Sequence, residues 1–134
     1  MKQLQFTFLA FLLLVMGYGC TTSNKVDLSS PEATFQTMVD AIQAQDIDTY
    51  AQCWHETRAN NDGMVLLLKT DPQLWNGLKT MFHTDSKLID RSEGELDGYK
   101  VAQFEVITPG IENGDRISSV ALTEVNGEWK MYHW

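Results

Sequence analysis

The hydrophobic repeat of this chain changes once, near His83, and that change constrains the fold more than any other feature. Upstream, apolar residues recur at helical spacing. Phe35, Met38, Val39 and Ile42 fall at i, i+3, i+4 and i+7, and Leu74, Leu78, Met81 and Phe82 form a second stripe. Downstream, short extended segments are separated by Asp97-Gly98 and Asn126-Gly127, dipeptides that accept the positive φ of two-residue β-hairpins. Helices followed by an antiparallel meander make an α+β chain rather than an alternating α/β one.

Local signals place the boundaries. Ser30-Pro31-Glu32 opens a helix with a capping hydroxyl, a proline in the first turn and an acid favoured by the helix dipole. This helix is expected to end near Gln45. Asp46 then caps a second helix on which Ile47, Tyr50, Ala51 and Trp54 share one face, so the pair forms an antiparallel hairpin. Asn60-Asn61-Asp62-Gly63 breaks the chain. Periodicity alone does not assign the apolar run Met64 to Leu68, for which helix is favoured, and Asp71-Pro72 opens the next helix. Strands are expected over 88–96, 99–108, 116–125 and 128–134, with a turn-rich loop over 109–115. Ala102, Phe104 and Val106 face one way on the second of them.

The first residues carry a different message. Lys2 precedes the run Phe6 to Met16, apolar except for Thr7, which is too short for the roughly 20 residues of a membrane span but fits the core of a secretion signal. Gly17-Tyr18-Gly19-Cys20 follows, then the polar stretch Thr21 to Lys25. Gly19-Cys20 resembles the lipobox of bacterial lipoproteins, with Gly17 in place of the usual Leu and Tyr18 in place of a small residue. The resemblance implies a signal peptide over 1–19, a Cys20 that carries lipid (diacylglyceryl and fatty acyl groups such as palmitate), and a flexible tether over 20–29. With Thr21 rather than Asp after the cysteine, it also implies the outer membrane if the host is Gram-negative. Gly17 and Gly19 satisfy the rule for ordinary signal cleavage too, so a soluble exported protein with a Cys20–Cys53 disulfide is the alternative. Those are the two cysteines of the chain.

Charge narrows the partners. The formal net charge is −8, and Lys2 is the one charged residue before Cys20, so removal of the signal makes the remainder more acidic still. Such a surface repels phosphate backbones and offers anionic lipids no polybasic attraction, which argues against nucleic acid and against electrostatic membrane binding. Acyl chains contribute about 0.8 kcal/mol per buried methylene, and two or more chains make a stable anchor.

The order of motifs adds a second resemblance. Ser30-Pro31-Glu32-Ala33-Thr34, Gln45-Asp46 and the closing Asn126-Gly127-Glu128-Trp129-Lys130-Met131 resemble the nuclear-transport-factor-two-like superfamily, the cone-shaped α+β fold shared with ketosteroid isomerase. The nearest likeness is to small bacterial lipoproteins with a domain of unknown function. The resemblance implies one domain over 30–134, with N-terminal helices packed in the concave face of a curved four-stranded antiparallel meander. It carries over no catalytic residue.

Chemistry-bearing residues are few. On the last strand Trp129, Met131 and His133 alternate on one face, which sets His133 at the inner rim, either as a general base or as a partly exposed imidazole bonded to backbone or water. Tyr50 and Trp54 either line the same cavity or pack helix against sheet. His55-Glu56 lacks the second histidine of a zinc helix, because position 59 is alanine, and the three histidines are scattered, so no metal site and no cofactor is expected. Cys53 reads as a small buried hydrophobe, and Asp90, Glu93, Glu95 and Asp97 as a solvated face. The reading favours a non-catalytic envelope protein whose domain binds a protein partner or a small apolar ligand. The alternative is a cavity enzyme of isomerase or dehydratase type with His133 as base.

Overall fold

The computed structural model describes residues 25–61, 63–108 and 117–134. Cys20, the signal segment and the loop over 109–115 lie outside the described residues. Helix α1 spans Pro31–Ala44. Ser30 is extended and its hydroxyl accepts from the Ala33 amide, while Gln45 closes the far end in a left-handed conformation with φ 55°. Helix α2, Ile47–Gln52, starts as expected, with Asp46 accepting from the Thr49 amide at 3.1 Å and the Thr49 hydroxyl at 2.7 Å.

The chain then departs from the expected pattern. Trp54 is not on the helix: it forms a single parallel rung with Met131, at the edge of the last strand. Cys53 O accepts from Met131 N at 2.7 Å, and His55 N donates to Met131 O at 2.9 Å. The last strand would otherwise leave those two backbone groups unpaired, and buried unpaired groups are costly, so the tertiary bonds outweigh further helix. A short helix that the sequence pattern did not suggest follows, α3 at Glu56–Asn61, then α4 at Met64–Thr70 and α5 at Gln73–Met81. Gly63, with φ 67°, makes the break between α3 and α4. On α5 the buried residues are Trp75 and Leu78, with Leu74 and Met81 only half-buried, so the apolar stripe is rotated towards Trp75.

Strands β1 (Lys87–Leu96), β2 (Tyr99–Ile107), β3 (Ile117–Val125) and β4 (Glu128–His133) form an antiparallel sheet in sequence order. Asp97-Gly98 and Asn126-Gly127 both have positive φ at each residue, as tight hairpins with the right twist require. Register slips by one residue at three places: between Ile89 and Ser92, between Phe104 and Val106, and beside Ala121. The first two coincide with the positive φ of Asp90 and Ser119, and the third puts Tyr132 as an extra residue on β4. Bulges bend a strand and sharpen its twist, so the sheet is open and curved.

The helices fill the concave side. Helix α1 contacts both outer strands, β1 and β4, which requires the sheet to curl around it. Its buried residues Phe35, Met38, Val39 and Ile42 share one core with Ala102, Phe104, Val106, Val120, Leu122 and Met131. Trp54 belongs to that core, and Trp129 packs against it. The Arg91 guanidinium reaches over the rings of both Phe104 and Trp129, at 5.9 and 5.5 Å. The interior of the curved sheet is therefore packed with side chains. A smaller cluster of Val101, Ala121 and Tyr132, with Leu96 against it, forms separately from the main core.

Candidate ligand-binding site

One pocket opens beside the end of β4. With a volume of ≈ 320 Å³, it is lined by Tyr50 of α2, Trp54, Arg58 and Ala59 of α3, Met64 and Val65 of α4, and Tyr132, His133 and Trp134 at the end of the sheet. Three of the residues singled out from sequence, Tyr50, Trp54 and His133, thus meet in one pocket. Its other walls were not legible there, because α3 carries no periodic apolar stripe and β4 is re-aimed by the extra residue at Tyr132. The volume sits at the small end of the range for sites that bury a small molecule.

The aromatic wall is held firmly. Tyr50 is 1% exposed and meets Trp75 edge-on at 5.8 Å and Trp54 at 6.0 Å. Trp134 in turn meets Phe82 edge-on at 5.6 Å. Burial raises the Tyr50 hydroxyl well above its ordinary value, so the phenol stays protonated. The Trp54 indole lies close enough to temper that shift, yet its N–H has no hydrogen-bond partner of normal geometry.

Polar groups gather on one side. Arg58 lies over the Tyr132 ring at 4.6 Å and pairs with Asp97 at 2.8 Å, and the Tyr132 hydroxyl donates to the same carboxylate at 2.9 Å. Partial desolvation, then the hydrogen bond and charge of Asp97, raise the Tyr132 hydroxyl. His133 is an exposed wall residue, and the described lining contains no carboxylate to orient it. Trp54 and Ala59 also line a neighbouring depression of ≈ 510 Å³ that includes Gln52, His55, Glu56, Asn126 and Lys130.

Cys53 is fully buried, free, and donates its thiol to Thr49 O at 3.3 Å, with its pKa pushed up by burial to about 12. Its suggested disulfide partner Cys20 lies outside the described residues. Asp97 is drawn to Arg58, and Glu93 to Arg91 at 2.8 Å, so two of the four acids read as a solvated face are engaged by arginines. Among the described residues no three metal-ligating side chains converge, and no helix is long and apolar enough to cross a membrane. No protein-family model, curated protein or solved structure matches the chain.

Proposed function

We propose that this is an exported envelope protein, acylated at Cys20 and held at the bilayer by that anchor, whose domain binds a small, mainly apolar ligand beside β4. The observation that carries the binding claim is the lining of the pocket: aromatic and aliphatic walls, with Tyr50 held neutral and no carboxylate among the described residues. The anchor claim is carried by Gly19-Cys20 after the largely apolar stretch Phe6 to Met16, and an acidic surface leaves little other means of membrane attachment. The likeness to the nuclear-transport-factor-two-like superfamily belongs to the same proposal, and helices on the concave side of a curved meander support it.

Binding is testable with the neutral fluorescent probe N-phenyl-1-naphthylamine. The expected result is saturable binding with a blue-shifted emission, abolished by Val65→Trp, which fills the pocket from its α4 wall. Absence of saturable binding, or equal binding by the filled variant, defeats the reading. The catalytic alternative keeps one supporting observation, since His133 and the protonated Tyr50 phenol share this pocket. His133→Ala tests its part in binding: probe affinity within about twofold of wild type fits a wall residue that contributes little to holding the ligand. A loss beyond tenfold would show that the imidazole itself holds the ligand.

A further inference from the structure

His55 sits where the pocket wall is attached to the sheet. It is 5% exposed, enclosed edge-on by Tyr99 at 4.9 Å and Tyr132 at 5.6 Å. Its carbonyl accepts from the amides of Arg58 and Ala59, both at 2.9 Å, so His55 is the residue that starts α3. Its side chain does the work of a capping oxygen: Nδ1 accepts from the Thr57 amide at 3.3 Å and meets the Thr57 hydroxyl at 2.7 Å. A ring nitrogen that accepts from an amide carries no proton, so the imidazole caps α3 only in its neutral form.

We propose that protonation of His55 releases the cap of α3 and loosens the wall of the ligand pocket, making binding at that pocket pH-dependent. The Thr57 hydroxyl can reverse and accept from a protonated Nδ1. The Thr57 amide cannot, and is left facing an N–H. A positive charge at the start of a helix also opposes the helix dipole. Helix α3 supplies Arg58 and Ala59 to the pocket and leads through Gly63 to Met64 and Val65, so the loosened element is one side of the site.

The charged and titratable groups around the ring act in both directions. Arg58 on α3, and Lys130 of β4 across the neighbouring depression, oppose a second positive charge, whereas Glu56 and, through Arg58 and Tyr132, Asp97 favour it. Tyr99 and Tyr132 present rings, and Tyr132 stays protonated because its hydroxyl is raised. The acceptor of the Thr57 amide is His55 Nδ1 itself, so protonation there removes the cap whichever way these charges balance.

The consequence for binding rests on the pocket reading above, although the cap geometry does not. Hydrogen–deuterium exchange on the full chain in detergent micelles, corrected for the intrinsic pH dependence of exchange, reads the cap at Thr57, Arg58 and Ala59. As the pH is lowered from about 8 towards the acid limit of folding, protection of these amides in wild type should fall roughly fivefold while α1 holds. His55→Asn, whose amide oxygen caps without titrating, should keep α3 protection level over the same range, with α1 exchange reporting that the variant folds. Level protection in wild type, or a loss in the asparagine variant that parallels wild type, overturns the switch. N-phenyl-1-naphthylamine binding in the same samples separates the claims: no binding at either pH defeats the pocket, while the exchange data still decide the switch.

Discussion

Thr34 shows how much a single hydroxyl can hold. It is fully buried on α1, and its Oγ1 donates to Trp129 O at 2.9 Å, tying the first helix to the last strand across 95 residues. Thr34→Val keeps the volume but orphans that carbonyl, so a loss of about 1–2 kcal/mol is expected by urea unfolding. Asp46 has a different signature. The Thr49 hydroxyl and amide hold its carboxyl below the ordinary value, so its contribution is present above the unfolded-state pKa and disappears as pH falls through the lower folded one. Asp46→Asn should therefore remove a part of the acid sensitivity of unfolding while keeping most of the cap. Asp46→Ala should cost about 1 kcal/mol at neutral pH. Cys53, with its thiol raised to about 12 and fully buried, should resist a thiol reagent in the native protein and react after unfolding.

At the scale of elements, legibility follows from whether a signal is local. The start of α1, the cap of α2 and both hairpins could be read directly because Ser30-Pro31, Asp46, Asp97-Gly98 and Asn126-Gly127 each satisfy a backbone need within a few residues. Gly127 has φ 82°, so Gly127→Val should lower stability by about 1–2 kcal/mol in thermal unfolding, with the strain confined to the hairpin. The rung at Trp54 was not readable, since it exists to satisfy Met131, far along the chain. The same rung, the Thr34 hydroxyl and Leu28 O, which accepts from Trp129 N at 2.8 Å, cover the β4 edge. The other edge strand, β1, is blunted by Asp90, Arg91, Glu93 and Glu95 and by its bulge, a pattern that discourages edge pairing between copies. Helix α3 escaped notice for a related reason: its cap is a histidine whose role depends on ring orientation and protonation, which no residue-type preference encodes.

For the whole molecule, the α+β order and the meander were visible in the sequence, and the bend of the sheet was not, because bulges at Asp90, Ser119 and Tyr132 leave little trace in an alternating pattern. That bend decides where a ligand can go. Wrapped around α1, the sheet fills its own concavity with Phe35, Met38, Phe104 and Trp54, and a pocket is left beside β4, where Tyr50, Trp54 and His133 meet. Ile42 lies in the middle of that packing, so Ile42→Ala should cost about 2–5 kcal/mol in urea unfolding and weaken the pocket only through the fold. The flexible tether expected over 20–29 does not extend through Leu28, which is buried in the core and whose carbonyl accepts from Trp129 N at 2.8 Å. The proposed function holds this domain at a bilayer through Cys20. Intact-mass analysis of the exported protein tests that most directly, paired with membrane partitioning of Cys20→Ser. The expected result is a mature chain beginning at Cys20 with acyl groups attached, and a serine variant that loses this processing. A mature mass without acyl groups, or partitioning unchanged by the substitution, would contradict it.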